Sequence, residues 1–193
     1  MELVFTRHGQ GEHTLDLPKS LQISDPALTE EGIIQAKSLK EQFPLLKSDV
    51  IIASPTRRTI QTARIWSEGI KCKKIVSPFI SPRMFPQKSE WQTLPCDKIL
   101  SKEIIKEEFA DFYIEEELSN SNKWWLEGIN KLPEKKFKVL AEDFLKWCKQ
   151  FGNKGIYIVS HDGTITSYSQ SILGKELTRN DFPKETGYRI VNC

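Results

Sequence analysis

The chain has no Cys-x-x-Cys pair. Its four cysteines, Cys72, Cys96, Cys148 and Cys193, stand far apart, which fits free thiols in a reducing compartment and neither a disulfide framework nor a zinc site. No uninterrupted apolar run approaches the roughly 18 residues of a membrane span. The opening Met1-Glu2-Leu3-Val4-Phe5-Thr6-Arg7 lacks the basic-then-apolar layout of a signal peptide, so a cytoplasmic setting is expected. Excess charge is missing too. Against 28 basic side chains stand 26 acidic ones, for a net +2, which gives no electrostatic case for nucleic acid or a membrane surface as partner. Internal repeats and low-complexity tracts are absent. What remains is 193 residues, 38% apolar and 28% charged. That is a globular balance, long enough for one domain, 1–193, with a core of its own.

Apolar runs and breakers give a coarse layout. Leu3 to Thr6 is short and β-prone and stops at Arg7-His8-Gly9. Residues 10–28 carry Asp16, Pro18, Ser20, Asp25 and Pro26 and read as a loop. Thr29 suits a helix N-cap, with Glu30 and Glu31 in the first turn. Ile33, Ala36, Leu39 and Phe43 then recur at helical spacing up to Pro44. Asp49–Ala53 is an apolar strand of the kind covered on both faces. A helix carrying Ile60, Ala63 and Trp66 on its inner side follows, then a short strand over 74–77. Residues 78–97 are irregular, and 98–130 read as a helical or mixed insertion, so that 78–130 together form a partial lid. Pro133 opens an amphipathic helix with Phe137, Leu140, Phe144, Trp147 and Phe151 on one side. Gly155–Val159 is another buried strand, residues 162–173 a helix ending at Gly174, and 188–191 a final strand. Strands alternating with helices indicate an α/β protein, a layered, mostly parallel sheet with helices on both faces.

The reactive residues fall at three places, each just past the end of a predicted strand: Arg7-His8, Ser54 to Arg58, and His161. In open α/β sheets that edge is where ligands bind. Two histidines and two or three arginines there suggest an anion site. Guanidinium offers a fixed charge and a fork that fits phosphate oxygens. A neutral imidazole is a competent nucleophile, and the leaving alcohol calls for a carboxylic acid nearby. A metal site is the poorer reading, because the arginines would repel a cation and no HxxxH-type pair is present. Lys71, Lys73 and Lys74 read as solvated surface, and Trp91, Trp124, Trp125 and Trp147 as core or a cap over it, with stacking on a substrate ring as the alternative.

At these residues the sequence resembles the histidine phosphatase superfamily, which includes the cofactor-dependent phosphoglycerate mutases. Arg7-His8-Gly9-Gln10-Gly11-Glu12-His13 is similar to its signature. Asp25-Pro26 with Leu28-Thr29, Gly32, Gln35-Ala36 and Leu39 matches the first loop and helix. Ser54-Pro55-Thr56-Arg57-Arg58, continuing to Gln61-Thr62-Ala63, matches the second motif, and Val159-Ser160-His161-Asp162-Gly163 the last. The resemblance implies a phosphoglycerate mutase-like fold and residue roles. His8 would be the phosphorylated nucleophile, with Arg7, Arg58 and His161 completing the phosphate pocket. Arg57 would face outward. The backbone amide of Asp162 would also meet phosphate, and Gln10 and His13 would touch substrate. Thr14 stands where many members carry an asparagine, a shorter-reaching donor at a substrate-binding position. The stretch from Ser89 to Asp97 resembles a branch with a glutamate five residues before Pro-Cys-Asp, which picks Glu90 as proton donor and leaves Asp97 as the other candidate. The reading that follows is a phosphatase acting on a small phosphorylated substrate, with neither metal nor cofactor. A phosphoglycerate mutase, or a decayed protein that only binds phospholigands, would use the same residues.

Overall fold

The computed structural model describes residues 1–88, 90–118, 122–152 and 154–192. Cys193 and Ser89 lie outside them. Six strands form one sheet: β1 (Glu2–Arg7), β2 (Val50–Ala53), β3 (Lys73–Val76), β4 (Tyr113–Ile114), β5 (Ile156–Ser160) and β6 (Tyr188–Asn192), in the order β4-β3-β2-β5-β1-β6. The first five run parallel and β6 lies antiparallel to β1. Burial alternates as the pleat requires. Leu3, Phe5, Val50, Ile52, Ile156 and Ile158 enter one apolar cluster, while Ile51, Ala53 and Val159 enter another.

Helices cover both faces. α1 (Glu30–Gln42), α2 (Arg57–Trp66) and α3 (Lys102–Glu108) close the second cluster. α5 (Glu134–Lys149) and α6 (Asp162–Leu173) close the first, assisted by the short α4 (Lys123–Glu127), whose Trp124 packs on it. The capping expected at Thr29 is present, its hydroxyl accepting from the Gly32 amide at 3.0 Å. Phe137, Leu140, Phe144 and Trp147 are all buried along α5, and Ile60, Ala63 and Trp66 along α2. Gly174 ends α6 with a left-handed φ of 63°, where a Cβ would be strained.

Two details depart from expectation. The buried side of α1 is Gly32, Ala36 and Leu39, and Ile33 is 36% exposed. The helix is rotated so that Gly32, and not a side chain, faces the chain leaving β1. The segment 78–130 is also more than irregular or helical. It contributes β4 to the sheet, pairing Ile75 with Tyr113 and Val76 with Ile114, and sends Leu100, Ile105, Phe109, Phe112 and Trp125 into the core. A two-residue strand is too short to show period-2 alternation, which is why the pattern hid it. Cys72, Cys96 and Cys148 are buried and in no disulfide. No helix among the described residues is long and apolar enough to cross a membrane.

Both helix N-termini beside the β1 and β5 strand ends depend on direct backbone contact. A Cβ on Gly32 would overlap the Gln10 carbonyl oxygen, and one on Gly163 would overlap the Arg83 carbonyl oxygen. Neither neighbour is a flexible side-chain end, so the backbone itself must move. Gly163→Ala is therefore expected to destabilise the protein by about 1–3 kcal/mol, lowering the urea midpoint. A midpoint unchanged within error would show that α6 docks without this close approach.

Candidate active site

In the sheet, β2, β5 and β1 are neighbours, and their carboxyl ends are in register, with Arg7 opposite Ser160 and Ala53 opposite Val159. The three sequence motifs therefore meet along one edge. His8 is held there by its own amide, which donates to the Ser160 carbonyl at 3.1 Å. Gly9 donates to Thr62 Oγ1 at 3.2 Å, tying the same turn to α2. Ser54 donates its amide to the Val159 carbonyl and starts the turn that leads into α2.

Arg58, at the start of α2 and 1% exposed, joins the parts. Its Nε donates to His8 Nε2 at 3.2 Å, and one terminal nitrogen donates to the Cys96 carbonyl at 2.7 Å. The other reaches His161 Nδ1 at 3.2 Å and Asp97 Oδ1 at 3.3 Å. A guanidinium can only donate, which assigns both imidazole tautomers. His8 Nε2 accepts, so its proton sits on Nδ1 and is donated to the Gly9 carbonyl at 2.6 Å. His161 Nδ1 accepts, so its Nε2–H is donated to Ser54 Oγ at 2.8 Å. The two rings lie edge to face with centroids 5.2 Å apart.

Arg7 comes from the end of β1. It pairs with Asp162 at 3.0 Å and donates to the Pro183 carbonyl at 3.1 Å, while its buried Nε has no partner. Asp162, first residue of α6, also accepts from the Gly163 amide. His13, 8% exposed, lies 5.5 Å from His8 ring to ring, and its Nδ1 is likewise buried without a partner. Two buried nitrogens without hydrogen-bond partners thus lie in the same cluster as the Arg7 and Arg58 guanidiniums.

The electrostatics follow from this crowding. Burial, and then the charges of Arg58 and Arg7, hold His8 well below the usual imidazole pKa, and the same forces act on His161. His13 is pushed down to about 3, again by burial first and the two arginines next. Asp97 moves the other way. Burial raises its carboxyl, with Arg58 opposing.

The remaining expected residues lie at the margins. Glu90 lines a cavity of about 490 Å³ together with Asp97, His161 and Asp162. Gln10 Oε1 accepts from the Thr29 hydroxyl at 2.9 Å, so Gln10 braces the start of α1. The Thr14 hydroxyl donates to the Gly11 carbonyl at 2.9 Å, bonding to the loop backbone and not to the cationic cluster. Arg57, expected to face outward, bridges Asp25 at 2.6 Å and Glu108 at 2.5 Å and stays away from the cluster. Ser54 gained no role from the sequence although it stands inside a quoted motif. Its position at a strand end, opposite a histidine at another, was the available signal. Arg179 and Phe182, which also line the cavity, carried no signal, because only the fold brings the chain after α6 back to this edge. Among the described residues no group of three or more His, Cys, Asp or Glu side chains is arranged to hold a metal ion.

Residues 3–186 match the histidine phosphatase superfamily, branch 1. A curated Hydrogenobacter thermophilus protein, named as a candidate second phosphoserine phosphatase, is 28% identical over 84% of this chain and 74% of its own length. The crystal structure of a phosphoserine phosphatase mutant from Entamoeba histolytica in complex with phosphoserine superposes with a TM-score of 0.60 at 25% identity, covering 98% of this chain and 89% of that one. The alpha-ribazole phosphatase from Shigella flexneri shares the fold, with a TM-score of 0.61 at 18% identity over 100% of this chain and 90% of that one.

Three buried neutral histidines make stability depend on pH. Their folded pKa values lie below the unfolded 6.5, so the unfolded chain binds more protons as pH falls through that value, and stability drops. Each contributes at most about 1.4 kcal/mol per pH unit; Asp97, shifted oppositely, offsets only part. Urea unfolding should give a lower free energy at about pH 5.5 than at about pH 7.5, and His13→Asn should shrink the difference. A pH-independent free energy would contradict the neutral assignment.

Proposed function

The chain belongs to the histidine phosphatase superfamily, branch 1, and from that premise we propose that it is a metal-independent phosphatase that hydrolyses a phosphate monoester through a phosphohistidine on His8. The observation that supports this best is the His8 tautomer. With Nδ1–H spent on the Gly9 carbonyl, the unprotonated Nε2 faces Arg58, whose Nε donates to it, in the cluster with Arg7 and His161, where a phosphoryl group would sit. The depressed pKa of His8 keeps that nitrogen unprotonated at neutral pH.

A phosphate dianion entering the cluster would take over the donors of Arg58 and the free Nε of Arg7, releasing Nε2 to attack. The Nε2–P bond forms as the ester P–O bond breaks, and the guanidiniums stabilise charge on the equatorial oxygens. The departing alkoxide takes a proton from a carboxylic acid. The resulting carboxylate then removes a proton from water, whose oxygen attacks phosphorus and frees His8 and phosphate. Two carboxyls border the cavity. The family pattern favours Glu90, whereas burial favours Asp97, since it raises the carboxyl toward the protonated form needed when the alcohol leaves, even with Arg58 opposing. We assign Asp97 as the donor, with Glu90 as the alternative. We also read residues 78–130 as the partial lid, because Pro82, Trp91, Gln92 and Asn130 help wall the cavity. The H. thermophilus and E. histolytica relatives make phosphoserine a substrate to test.

Hydrolysis of p-nitrophenyl phosphate with chelator present should persist in the wild type and fall by at least about a thousandfold in His8→Ala. Intact-mass analysis of quenched wild-type enzyme should show one acid-labile phosphoryl group that His8→Ala lacks. Asp97→Asn should impair an alkyl phosphate by about tenfold more than p-nitrophenyl phosphate, whose leaving group needs no proton. Activity surviving in His8→Ala would refute the phosphohistidine route. The same selective loss in Glu90→Gln instead would move the acid to Glu90.

A further inference from the structure

The cavity beside His161 and Asp162 reaches well past the phosphate cluster, and its volume of about 490 Å³ is that of a site for a sizeable organic group. We infer that it receives the alcohol half of the substrate, and that this alcohol is bulky, apolar or aromatic, and carries an anionic group that pairs with Arg179. The inference rests on the phosphatase reading and names the substrate class for it.

The wall is rich in carbon. Met84, Phe85, Trp91, Leu94 and Phe182 all contribute to it. Phe85 and Phe182 come from distant parts of the chain and meet with ring centroids 6.1 Å apart, tilted by 59°. Such a corner takes a ring or a branched hydrocarbon on its exposed faces. A small zwitterionic alcohol such as serine would leave much of this wall against water. Its ammonium and carboxylate would also find the charged groups largely engaged. Arg83 is bound to Glu134 at 2.9 Å and to the carbonyls of Ile129 and Leu132. Asp162 holds Arg7, and Asp97 holds Arg58.

Arg179 differs from these. It is exposed, and among the described residues it has no ion-pair partner. Its guanidinium carbon lies 5.6 Å from the centroid of the Phe182 ring, so charge and aromatic wall form one surface. The turn that carries it, Arg179–Asp181, is braced. The Thr178 amide donates to Asp181 Oδ2 at 2.7 Å, the Asn180 amide to Thr178 Oγ1 at 3.2 Å, and Arg189 to the Asp181 carbonyl at 2.7 Å. A cation held on a fixed turn, at a cavity of aromatic character, suits an anion displayed on a ring. Glu90 lines the same cavity and would oppose an anion placed against it, so the comparison needs a neutral ligand as reference.

Three alkyl phosphates test this, chosen so that the leaving groups are all simple alcohols: benzyl phosphate, 4-carboxybenzyl phosphate and O-phosphoserine. Wild-type kcat/KM should exceed that for phosphoserine by at least about tenfold with benzyl phosphate, and should be higher still with 4-carboxybenzyl phosphate. Arg179→Ala should lower kcat/KM for 4-carboxybenzyl phosphate about fivefold more than for benzyl phosphate, through KM, as befits an exposed ion pair. Phosphoserine turned over as well as benzyl phosphate, or equal losses for both benzyl esters in Arg179→Ala, would overturn the assignment. Calorimetric binding of benzylphosphonate, 4-carboxybenzylphosphonate and 2-amino-4-phosphonobutyrate separates the two levels of the argument. A chain that binds these in the predicted order but hydrolyses none of the esters would refute the phosphatase reading and keep the cavity assignment. Hydrolysis with the order reversed would do the opposite.

Discussion

Arg58 is the side chain on which the rest of the site depends. It is fully buried yet spends its donors on four groups from three separate segments: His8 after β1, Cys96 and Asp97 from the 78–130 segment, and His161 after β5. A buried cation is tolerated only when its donors are satisfied and a counter-charge is near. Here the nearest carboxyl is Asp97, at 3.3 Å, and Asp162 adds to the favourable field. The sheet order places β2, β5 and β1 side by side, so one guanidinium can span all three ends. Because an arginine cannot accept a hydrogen bond, Arg58 also decides which nitrogen of each histidine carries no proton. The same residue thus organises the fold at this edge and sets the tautomer of His8, the proposed nucleophile.

Much of this was legible in the sequence because the signals are local. Three strand ends carrying Arg7-His8, Ser54 to Arg58 and His161 were visible as apolar runs stopping at polar residues, and all three motifs meet as expected. Thr29 was readable as a cap because its hydroxyl acts within one helical turn. The residues that resisted reading are those whose role is fixed at long range. The rotation of α1, which exposes Ile33, comes from the contact between Gly32 and Gln10 across a twenty-residue loop. Strand β4 has two residues and exists by virtue of pairing with β3. Arg179 and Phe182 reach the cavity only because the chain after α6 folds back toward Phe85. Nothing in the spacing of those residues encodes that return.

The loop after His8 divides its side chains between bracing the loop and facing the histidine cluster. Within seven residues, Gln10 and Thr14 spend side-chain bonds on the start of α1 and on the Gly11 carbonyl, while His13 turns inward to lie beside His8 with a nitrogen unsatisfied. The loop is held by the first two and leaves the third poised. The threonine at position 14 fits this division, since a hydroxyl reaches the backbone three residues away but is short for a group in the pocket.

Burial acts on this pocket in two opposite directions, and both favour the proposed reaction. Desolvation disfavours whichever form of a group is charged. For the imidazoles of His8 and His161 that means the neutral base, and the neighbouring arginines push the same way. For the carboxyl of Asp97 it raises the pKa toward the neutral form, with Arg58 opposing. The unprotonated imidazole and the protonated carboxyl that the proposed reaction calls for are therefore both favoured by one cause, the exclusion of water at the edge of the sheet. Groups whose environments push them apart in this way mark the acid and base of a site. The arginines complete the arrangement by leaving the pocket short of negative charge, with the Nε of Arg7 still unpaired. In the proposed reaction a phosphate dianion would meet these demands at once, since it would neutralise the guanidiniums, satisfy the Nε of Arg7 and draw the Arg58 donor away from His8 Nε2, which could then attack phosphorus.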